Sequence, residues 1–172
     1  MNIAIVGATG NVGRKILEVL ERKDLAIDNL YLLASSRSAG SKIIFNGKEH
    51  EIIDLETFDF SKVKITFFAA GGKISENFAG VAAKHSLVID NSSFYRMDPD
   101  VPLIVPQVNS DHLHNIKKNI IANPNCSTAQ LVIALNAICF VKFLDSTLSF
   151  CKTCFVCSIN SSIGALPPPE TD

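Results

Sequence analysis

The chain has 172 residues, of which 47% are hydrophobic and 19% are charged. This length fits one ordinary domain, or one domain and the start of another, and the composition excludes a disordered chain. The formal net charge of -1 gives no preference for nucleic acid or membrane surfaces, so we expect neither as a partner.

The start of the chain, "MNIAIVGATG", has no basic region followed by a long apolar run. We therefore expect no secretory signal. The sequence also contains no uncharged apolar stretch long enough for a membrane span. The five cysteines are an odd number, which favours reduced thiols over a disulfide framework and predicts a cytoplasmic protein.

Apolar strands alternate with amphipathic helices along most of the chain. Strands are predicted at "IAIVG", "LYLLAS", "HEIIDL", "KITFFAAGG", "LVID", "PLIVPQV" and "NIIANPN", and helices at "NVGRKILEVLERK", "SENFAGVAAKH" and "STAQLVIALNAI". The pair Asn46-Gly47 predicts a hairpin turn. This alternation predicts an α/β fold, a Rossmann-type doubly wound parallel sheet, over residues 1–138.

Residues 139–172 differ from the rest of the chain. They hold four of the five cysteines, show poor periodicity and include three consecutive prolines. We expect an aberrant, disordered tail here, and our hypothesis is that it is translated out of frame. Cys151, Cys154 and Cys157 form C-x-x-C-x-x-C, which allows a metal or iron–sulfur site as an alternative. Since the usual fourth ligand and its proline are absent, we predict no metal.

A glycine-rich loop follows the first strand. "GATGNVG" places Gly7, Gly10 and Gly13 between this strand and the first helix. Glycine permits a tight turn and lets a pyrophosphate approach the backbone, while the helix N-terminus offers free N–H groups and a positive dipole end. The motif predicts a dinucleotide site, although its spacing is G-x-x-G-x-x-G.

The end of the second strand indicates which dinucleotide is bound. An acidic residue at this point would bind the ribose 2′-hydroxyl of NAD. The chain instead has "ASSRSAG", in which Arg37 lies between Ser36 and Ser38 and follows Ser35. A guanidinium beside hydroxyls suits a 2′-phosphate, so NADP is the predicted cofactor.

Cys126 is the candidate nucleophile. It stands in "NPNCST", where a strand meets a helix at the carboxyl edge of the predicted sheet. A helix N-terminus favours the reactive thiolate and can stabilise an oxyanion. Near a nicotinamide, such a thiolate suggests attack on an aldehyde, hydride transfer to NADP and a thioester. Asn125, Ser127 and Thr128 are too polar for a buried packing role of the cysteine.

The polar segment "DNSSFYRMDPDVPLIVPQVN" carries Arg96. Its guanidinium can receive an anionic substrate through two parallel hydrogen bonds. Taken alone, the residue fits a surface arginine equally well.

In this order, "GATGNVG", "SSRSAG", "DNSSFYRMDPDVPLIVPQVN" and "NPNCST" resemble the aspartate-semialdehyde dehydrogenase family over residues 1–138. The resemblance implies an oxidoreductase, an NADP-dependent aldehyde dehydrogenase of lysine, threonine and methionine biosynthesis. Such an enzyme reduces aspartyl phosphate to aspartate semialdehyde and phosphate through a cysteine thioester. "SSFYR" and "NCST" favour it over the related N-acetyl-glutamyl-phosphate reductases.

The resemblance also assigns roles to individual residues. Cys126 would carry the acyl group, and Arg96 with Asn125 would hold the phosphate or phosphoryl substrate. The cofactor would be bound by Gly7, Thr9, Gly10, Asn11, Val12, Gly13, Ser35, Arg37 and Ser38.

The chain departs from the family pattern after the cysteine helix. Family members are roughly twice as long, and a second, catalytic and dimer-forming domain supplies a histidine acid/base. All four histidines here, His50, His85, His112 and His114, precede the cysteine, and we expect the last two to be exposed. Since that domain and the dimer interface are expected to be missing, we predict impaired activity, with a non-catalytic NADP-binding remnant as the alternative.

Overall fold

The computed structural model describes residues 1–23 and 25–144. Seven strands form one sheet there: β1 (Asn2–Val6), β2 (Asn29–Ala34), β3 (Lys42–Phe45), β4 (Lys48–Asp54), β5 (Ile65–Phe68), β6 (Leu87–Asp90) and β7 (Ile120–Ala122). Their order is β3-β4-β2-β1-β5-β6-β7, and all neighbours are parallel except β3 and β4. The predicted doubly wound α/β sheet is confirmed.

Within the same residues, four α-helices accompany the sheet: α1 (Asn11–Arg22), α2 (Gly72–Ala82), α3 (Pro106–Asn109) and α4 (Cys126–Leu144). Short 3₁₀ helices cover Leu55–Thr57, Phe60–Lys62, Phe94–Met97 and Ser110–His114. The helix predicted at "SENFAGVAAKH" begins earlier, at Gly72, because the glycine pair before it forms the first turn. α4 runs past residue 138, where the sequence predicts the domain to end, and that boundary stays a prediction.

The central strand β1 shows why helices cover both faces of the sheet. Ala4 and Val6 pack with residues of α2 on one face, while Ile3 and Ile5 pack with residues of α1 on the other. Successive side chains of a strand point to opposite faces. A strand that is apolar at every position is therefore buried on both sides, as parallel sheets require.

The chain reverses its direction of winding at β1, between β2 on one side and β5 on the other. In open parallel sheets, ligands bind in the crevice beyond the carboxyl ends of the strands at such a switch point. The glycine loop leaves β1 at this position. The loops after β2, β5, β6 and β7 leave the sheet along the same edge.

The turn between β3 and β4 is the predicted hairpin. Asn46 has φ 48° and Gly47 has φ 71°, so both central residues have the positive φ that a type I′ turn requires. The hairpin adds β3 to the edge of the sheet, antiparallel to β4.

The strand predicted at "PLIVPQV" is wrong. Leu103 forms a single bridge with Ala122 of β7, and the chain then enters α3 at Pro106. Pro102 and Pro106 have no N–H to donate to a ladder, and proline at the first helical position favours a helix start. Leu103, Ile104 and Val105 are buried nevertheless, so the segment covers the outer edge of β7.

Candidate functional site

The loop between β1 and α1 is closed so tightly that only glycine fits at two positions. Gly7 has φ +85°, and a Cβ there would lie 2.8 Å from the backbone nitrogen of Ala70. A Cβ on Gly13 would lie 2.2 Å from the carbonyl oxygen of Gly7. The absence of side chains at Gly7 and Gly13 allows α1 to pack against the end of β1, as a dinucleotide fold requires.

The N-terminus of α1 has unpaired donors at this edge. Its N-cap residue is Gly10, which makes no side-chain cap. Thr9 is half-buried, and Asn11 and Val12 are exposed. The first N–H groups of a helix have no partner within the helix, and together with the dipole they attract an anion.

A second helix N-terminus lies beside the first. α2 begins after Gly71, which also provides no side-chain cap. It follows β5, the strand next to β1, and Gly7 packs directly against Ala69 and Ala70. No role for this glycine pair was predicted from the sequence. The signal was the motif "AAGG" at the end of a buried strand.

The loop after β2 lies next to the glycine loop, because the backbone N–H groups of Gly7 and Ala8 both donate to the carbonyl oxygen of Leu33. Within this loop, the Ser38 N–H donates to the Ser35 carbonyl at 2.8 Å. Ser35 and Arg37 are exposed, and Ser38 is half-buried. The arginine side chain is therefore accessible at the edge where the dinucleotide site is predicted.

Cys126 is the first residue of α4, and it is exposed. Asn125 caps the helix, because its Oδ1 accepts hydrogen bonds from the Ser127 N–H at 3.0 Å and from Ser127 Oγ at 2.7 Å. The same oxygen lies 3.6 Å from Cys126 Sγ. The thiol thus stands at the positive end of a helix, where an anion is favoured and a substrate has access.

Arg96 is held by two backbone carbonyls. Its Nε donates to Asn123 O at 3.0 Å, and one Nη donates to Asn91 O at 3.1 Å. These two asparagines directly follow β6 and β7, so the guanidinium bridges adjacent loops. Asn123 lies in the loop that leads to Cys126. The structure therefore ties the predicted anion-binding arginine to the cysteine loop.

The charge of Arg96 is not neutralised by a carboxylate within the part of the chain that the structure describes. The acidic residues after it are paired elsewhere. Lys118 Nζ lies 2.8 Å from Asp98 Oδ2, and Lys117 Nζ lies 3.2 Å from Asp100 Oδ1. A half-buried guanidinium without a carboxylate is suited to an external anion.

Two ionisable side chains beside Arg96 have shifted pKa values. The hydrogen bond from Lys118, with a smaller one from the Asp100 N–H, lowers the pKa of Asp98 below its ordinary value. Burial raises the pKa of Tyr95, and the charges of Asp90 and Asp98 raise it further. These shifts favour an ionised Asp98 and a neutral Tyr95 at ordinary pH.

The side chain of Asp90, at the end of β6, is fully buried. Its carboxylate accepts hydrogen bonds from Ser75 and Ser92. From the run "DNSS" and the residues after it, only Arg96 was predicted to have a role. The signal for this anchor was an acid at the end of a buried strand, followed by an asparagine and two serines.

The histidines do not form part of this arrangement. In residues 1–23 and 25–144, none donates to or accepts from Cys126. His114 is exposed as predicted, whereas His112 is half-buried, so its predicted exposure is wrong. His112 lies in a 3₁₀ helix, 4.0 Å from the carboxylate of Asp111.

The described residues contain no group of three or more histidine, cysteine or acidic side chains placed to hold a metal ion. The C-x-x-C-x-x-C motif lies outside them, as does most of the predicted aberrant tail. Among the helices seen in this part of the chain, none combines the length and apolar character of a membrane span.

Comparison with known proteins yields a consistent set of relatives. The family described as "Semialdehyde dehydrogenase, NAD binding domain" matches residues 2–116. Aspartate-semialdehyde dehydrogenase from Shewanella sp. (strain DB6705) is 49% identical over 139 residues, which cover 80% of this chain and 41% of the relative. The chain thus spans about two fifths of the length of such curated relatives.

Solved structures agree with the sequence comparison. The crystal structure of aspartate semialdehyde dehydrogenase II complexed with ASA, from Vibrio cholerae, is similar with a TM-score of 0.78 and 49% identity, over 80% of this chain and 45% of that one. The enzyme from Candida albicans, crystallised with NADP, has a TM-score of 0.65 and 27% identity, over 80% and 46% of the two chains.

Proposed function

Because the chain belongs to the semialdehyde dehydrogenase family through its NAD-binding domain, we propose that it binds NADP and that Cys126 forms an acyl thioester in the reductive route from aspartyl phosphate to aspartate semialdehyde. One observation carries the proposal. Cys126 is an exposed thiol at the start of α4, on the same edge of the sheet as the glycine loop. A biosynthetic oxidoreductase with a cytoplasmic location follows from this assignment.

The glycine loop and the start of α1 would hold the pyrophosphate of NADP. The fit of this group rests on the missing side chains at Gly7 and Gly13 and on the uncapped N–H groups after Gly10. β1 and β7 are separated by three strand spacings of about 4.8 Å each, so the two loops lie about 14 Å apart. A dinucleotide lying across the switch point runs in the direction of Cys126.

The preference for NADP over NAD rests on Arg37 and its neighbouring serines. The loop after β2 has no carboxylate that would repel a 2′-phosphate, and the guanidinium is exposed. The relative from Candida albicans was crystallised with NADP, which supports the same cofactor here.

In the proposed acylation, the thiolate of Cys126 attacks the acyl carbon of aspartyl phosphate. A carbon–sulfur bond forms, the carbon–oxygen bond to phosphate breaks, and inorganic phosphate leaves with the bonding electrons. The positive end of the α4 dipole, and the first-turn N–H groups that the Asn125 cap does not use, would stabilise the oxyanion that develops on the attacked carbonyl. NADPH, when bound, supplies the hydride that reduces the thioester to the aldehyde and returns the thiolate.

Arg96 and Asn125 would receive the phosphoryl group. Two N–H groups of Arg96 are used on backbone carbonyls, so its outer N–H groups remain for phosphate oxygens. The Oδ1 of Asn125 is committed to the helix cap, which leaves its Nδ2 amide as the donor to substrate. The guanidinium of Arg96 and the amide of Asn125 would thus act together at the edge of the sheet where Cys126 lies.

We expect turnover to be slow, because the described residues supply no acid/base hydrogen-bonded to Cys126. A general acid/base contributes about 10²–10⁴-fold to the rate. The family resemblance implies dimer formation for the longer relatives. It is not proposed for this chain.

The test measures binding and turnover separately on the full chain. We expect NADPH to bind, and Arg37→Ala to weaken NADPH binding about tenfold while NADH binding stays unchanged. Arg14→Ala is the matched control. The Nε of Arg14 donates to Thr9 O at 3.2 Å, so this arginine is held against the glycine loop. Equal loss for both cofactors would contradict the role of Arg37.

Turnover is followed as phosphate-dependent formation of NADPH from aspartate semialdehyde. Cys126→Ser should abolish it, whereas Cys139→Ser should not, because Cys139 lies further along α4, away from its N-terminus. A second candidate function is a non-catalytic NADP-binding protein, favoured because no described residue supplies an acid/base hydrogen-bonded to Cys126. NADPH binding with no trace of Cys126-dependent turnover would select that candidate.

A further inference from the structure

A buried carboxylate lies behind Arg96 and takes no part in the proposed reaction. Asp90 is fully buried, and its Oδ1 accepts hydrogen bonds from Ser75 Oγ at 2.8 Å and from the Ser92 N–H at 2.9 Å. Its Oδ2 accepts from Ser92 Oγ at 2.7 Å. Within the described residues, no lysine, arginine or histidine forms an ion pair with it. Burial of such a group is costly, so these hydrogen bonds must hold it in place.

The hydrogen bonds of Asp90 lead directly to the segment that carries Arg96. Ser92 Oγ, which donates to Asp90, also accepts the N–H of Phe94 at 3.1 Å. Phe94 is the first residue of the 3₁₀ helix Phe94–Met97. The carboxylate therefore fixes both the turn after β6 and the start of the helix on which Arg96 lies. Ser75 joins this turn to α2, so the segment is attached to a rigid element.

The orientation of the Arg96 guanidinium also depends on the two carbonyl groups that accept its hydrogen bonds. Arg96 donates to the carbonyls of Asn91 and Asn123. The Asn123 N–H donates to Asp90 O at 2.8 Å, and the side-chain amide of Asn123 donates to Asn91 Oδ1. Both carbonyls are therefore positioned by residues that adjoin or contact Asp90. A shift of the turn would rotate the acceptors that orient the guanidinium.

We propose that Asp90 is a positioning residue for the anion site: through Ser75 and Ser92 it orients Arg96 so that the free N–H groups of the guanidinium present one fixed face to phosphate. This inference rests on the proposed role of Arg96 as the receptor for the phosphoryl group. The affinity of the site for phosphate therefore depends on Asp90, a carboxylate that does not contact the anion.

The test compares Asp90→Asn and Ser92→Ala with a matched control in the full chain. The control is Ser86→Ala, at the opposite end of β6. Ser86 is also buried, and its hydroxyl is likewise joined to two partners, Thr66 Oγ1 at 2.8 Å and Ala82 O at 3.1 Å. Loss of stability alone should therefore affect the control as well, whereas loss of positioning should not.

Two quantities are measured for each variant. One is the affinity for inorganic phosphate, followed by NMR titration. The other is the rate at which the Nε–H proton of Arg96 exchanges with solvent, identified by the signal lost in Arg96→Lys. We expect Asp90→Asn and Ser92→Ala to weaken phosphate binding about tenfold and to accelerate exchange by a similar factor, while Ser86→Ala changes neither. Ser92→Thr keeps the hydroxyl and should restore both values.

The two proposals fail in different ways. If the unmodified chain binds no phosphate, the proposed role of Arg96 is wrong. If the Nε–H exchange is as slow in Ser92→Ala as in the unmodified chain, or changes equally in Ser86→Ala, the positioning role of Asp90 is wrong, whatever the phosphate affinity.

Discussion

The glycine loop and the cysteine loop lie at the same edge of the sheet but are held by different forces. The glycine loop is fixed by exclusion, because Gly13 leaves no room for a side chain against Gly7 O. The cysteine loop is fixed by attraction, because Arg96 and Asn125 hold it with directed hydrogen bonds. A side chain added at a sterically closed position disrupts the whole loop, whereas hydrogen bonds can be removed one at a time.

The difference suits the two tasks proposed for the loops. A pyrophosphate needs a close backbone approach, which a single rigid turn provides. A nucleophile and an anion receptor must be oriented relative to each other, and side-chain hydrogen bonds from two neighbouring loops can do this. Substitutions in the glycine loop should therefore cause large losses of stability, whereas substitutions in the cysteine loop should cause smaller, graded losses.

The largest effect is expected for Gly13→Ala. The added Cβ would lie 2.2 Å from Gly7 O, so α1 or the loop must move. We expect the free energy of unfolding to fall by about 3 kcal/mol and NADP binding to be lost, as measured by urea denaturation and cofactor titration. Gly10→Ala is the control: its Cβ would lie 3.4 Å from the same oxygen, and the cost should be about 1 kcal/mol or less. Equal losses in the two variants would refute the steric explanation.

Arg96→Ala should have the next largest effect. It leaves the carbonyls of Asn91 and Asn123 without their donor in a part-buried setting. We expect a loss of about 2 kcal/mol in the free energy of unfolding, together with loss of phosphate binding. Arg14→Ala removes a single hydrogen bond at the exposed glycine loop and should cost far less. If both arginine variants unfold at the same urea concentration, the cysteine loop does not depend on the bridge.

Asn125→Ala should have a smaller effect confined to the start of α4. It removes the side-chain cap that accepts from the Ser127 N–H. We expect about 1 kcal/mol of destabilisation in urea denaturation, with Asn125→Asp close to the unmodified chain because aspartate also caps helices. Unchanged stability in Asn125→Ala would show that the cap is dispensable. The loop would then be held by Arg96 and by the hydrogen bonds of Asn123.

The smallest effect is expected for the ion pair beside Arg96. The pKa of Asp98 is lowered below its ordinary value of 3.8 and the pKa of Lys118 is raised above 10.5. The aspartate contributes stability above pH 3.8 that is lost as the pH falls through its lowered pKa. The lysine contributes stability below pH 10.5 that is lost as the pH rises through its raised pKa. The pair therefore stabilises the fold between these limits.

Lys118→Gln tests this window. The variant should unfold at a slightly lower urea concentration than the unmodified chain at pH 7, and the difference should shrink at pH 3. Both side chains are partly exposed, so added salt should reduce the difference too. A difference that is independent of pH would mean that the lysine acts through packing of its stem.

Local sequence patterns predicted the structure correctly where one physical rule dominates. The alternation of strands and helices predicted the doubly wound sheet, because a strand that is apolar at every position must be buried on both faces. Asn46-Gly47 predicted its turn, because few other residue pairs adopt two successive positive φ angles. The same patterns failed at "PLIVPQV", where apolar residues suggested a strand and two prolines prevented the ladder.

The sequence by itself determined the alternation of strands and helices, the glycine loop and the position of Cys126 at a strand–helix junction, since each depends on residues close together in the chain. The tertiary structure decided what holds the cysteine side together. Arg96 reaches Asn123 across 27 positions, and Ser75 reaches Asp90 across 15. The first contact arises when β6 and β7 become neighbours and the second when α2 packs on β6, and no spacing along the chain encodes either. For that reason the sequence indicated Arg96 as a candidate, while the hydrogen bonds that connect it with Asp90 became visible only in the tertiary structure.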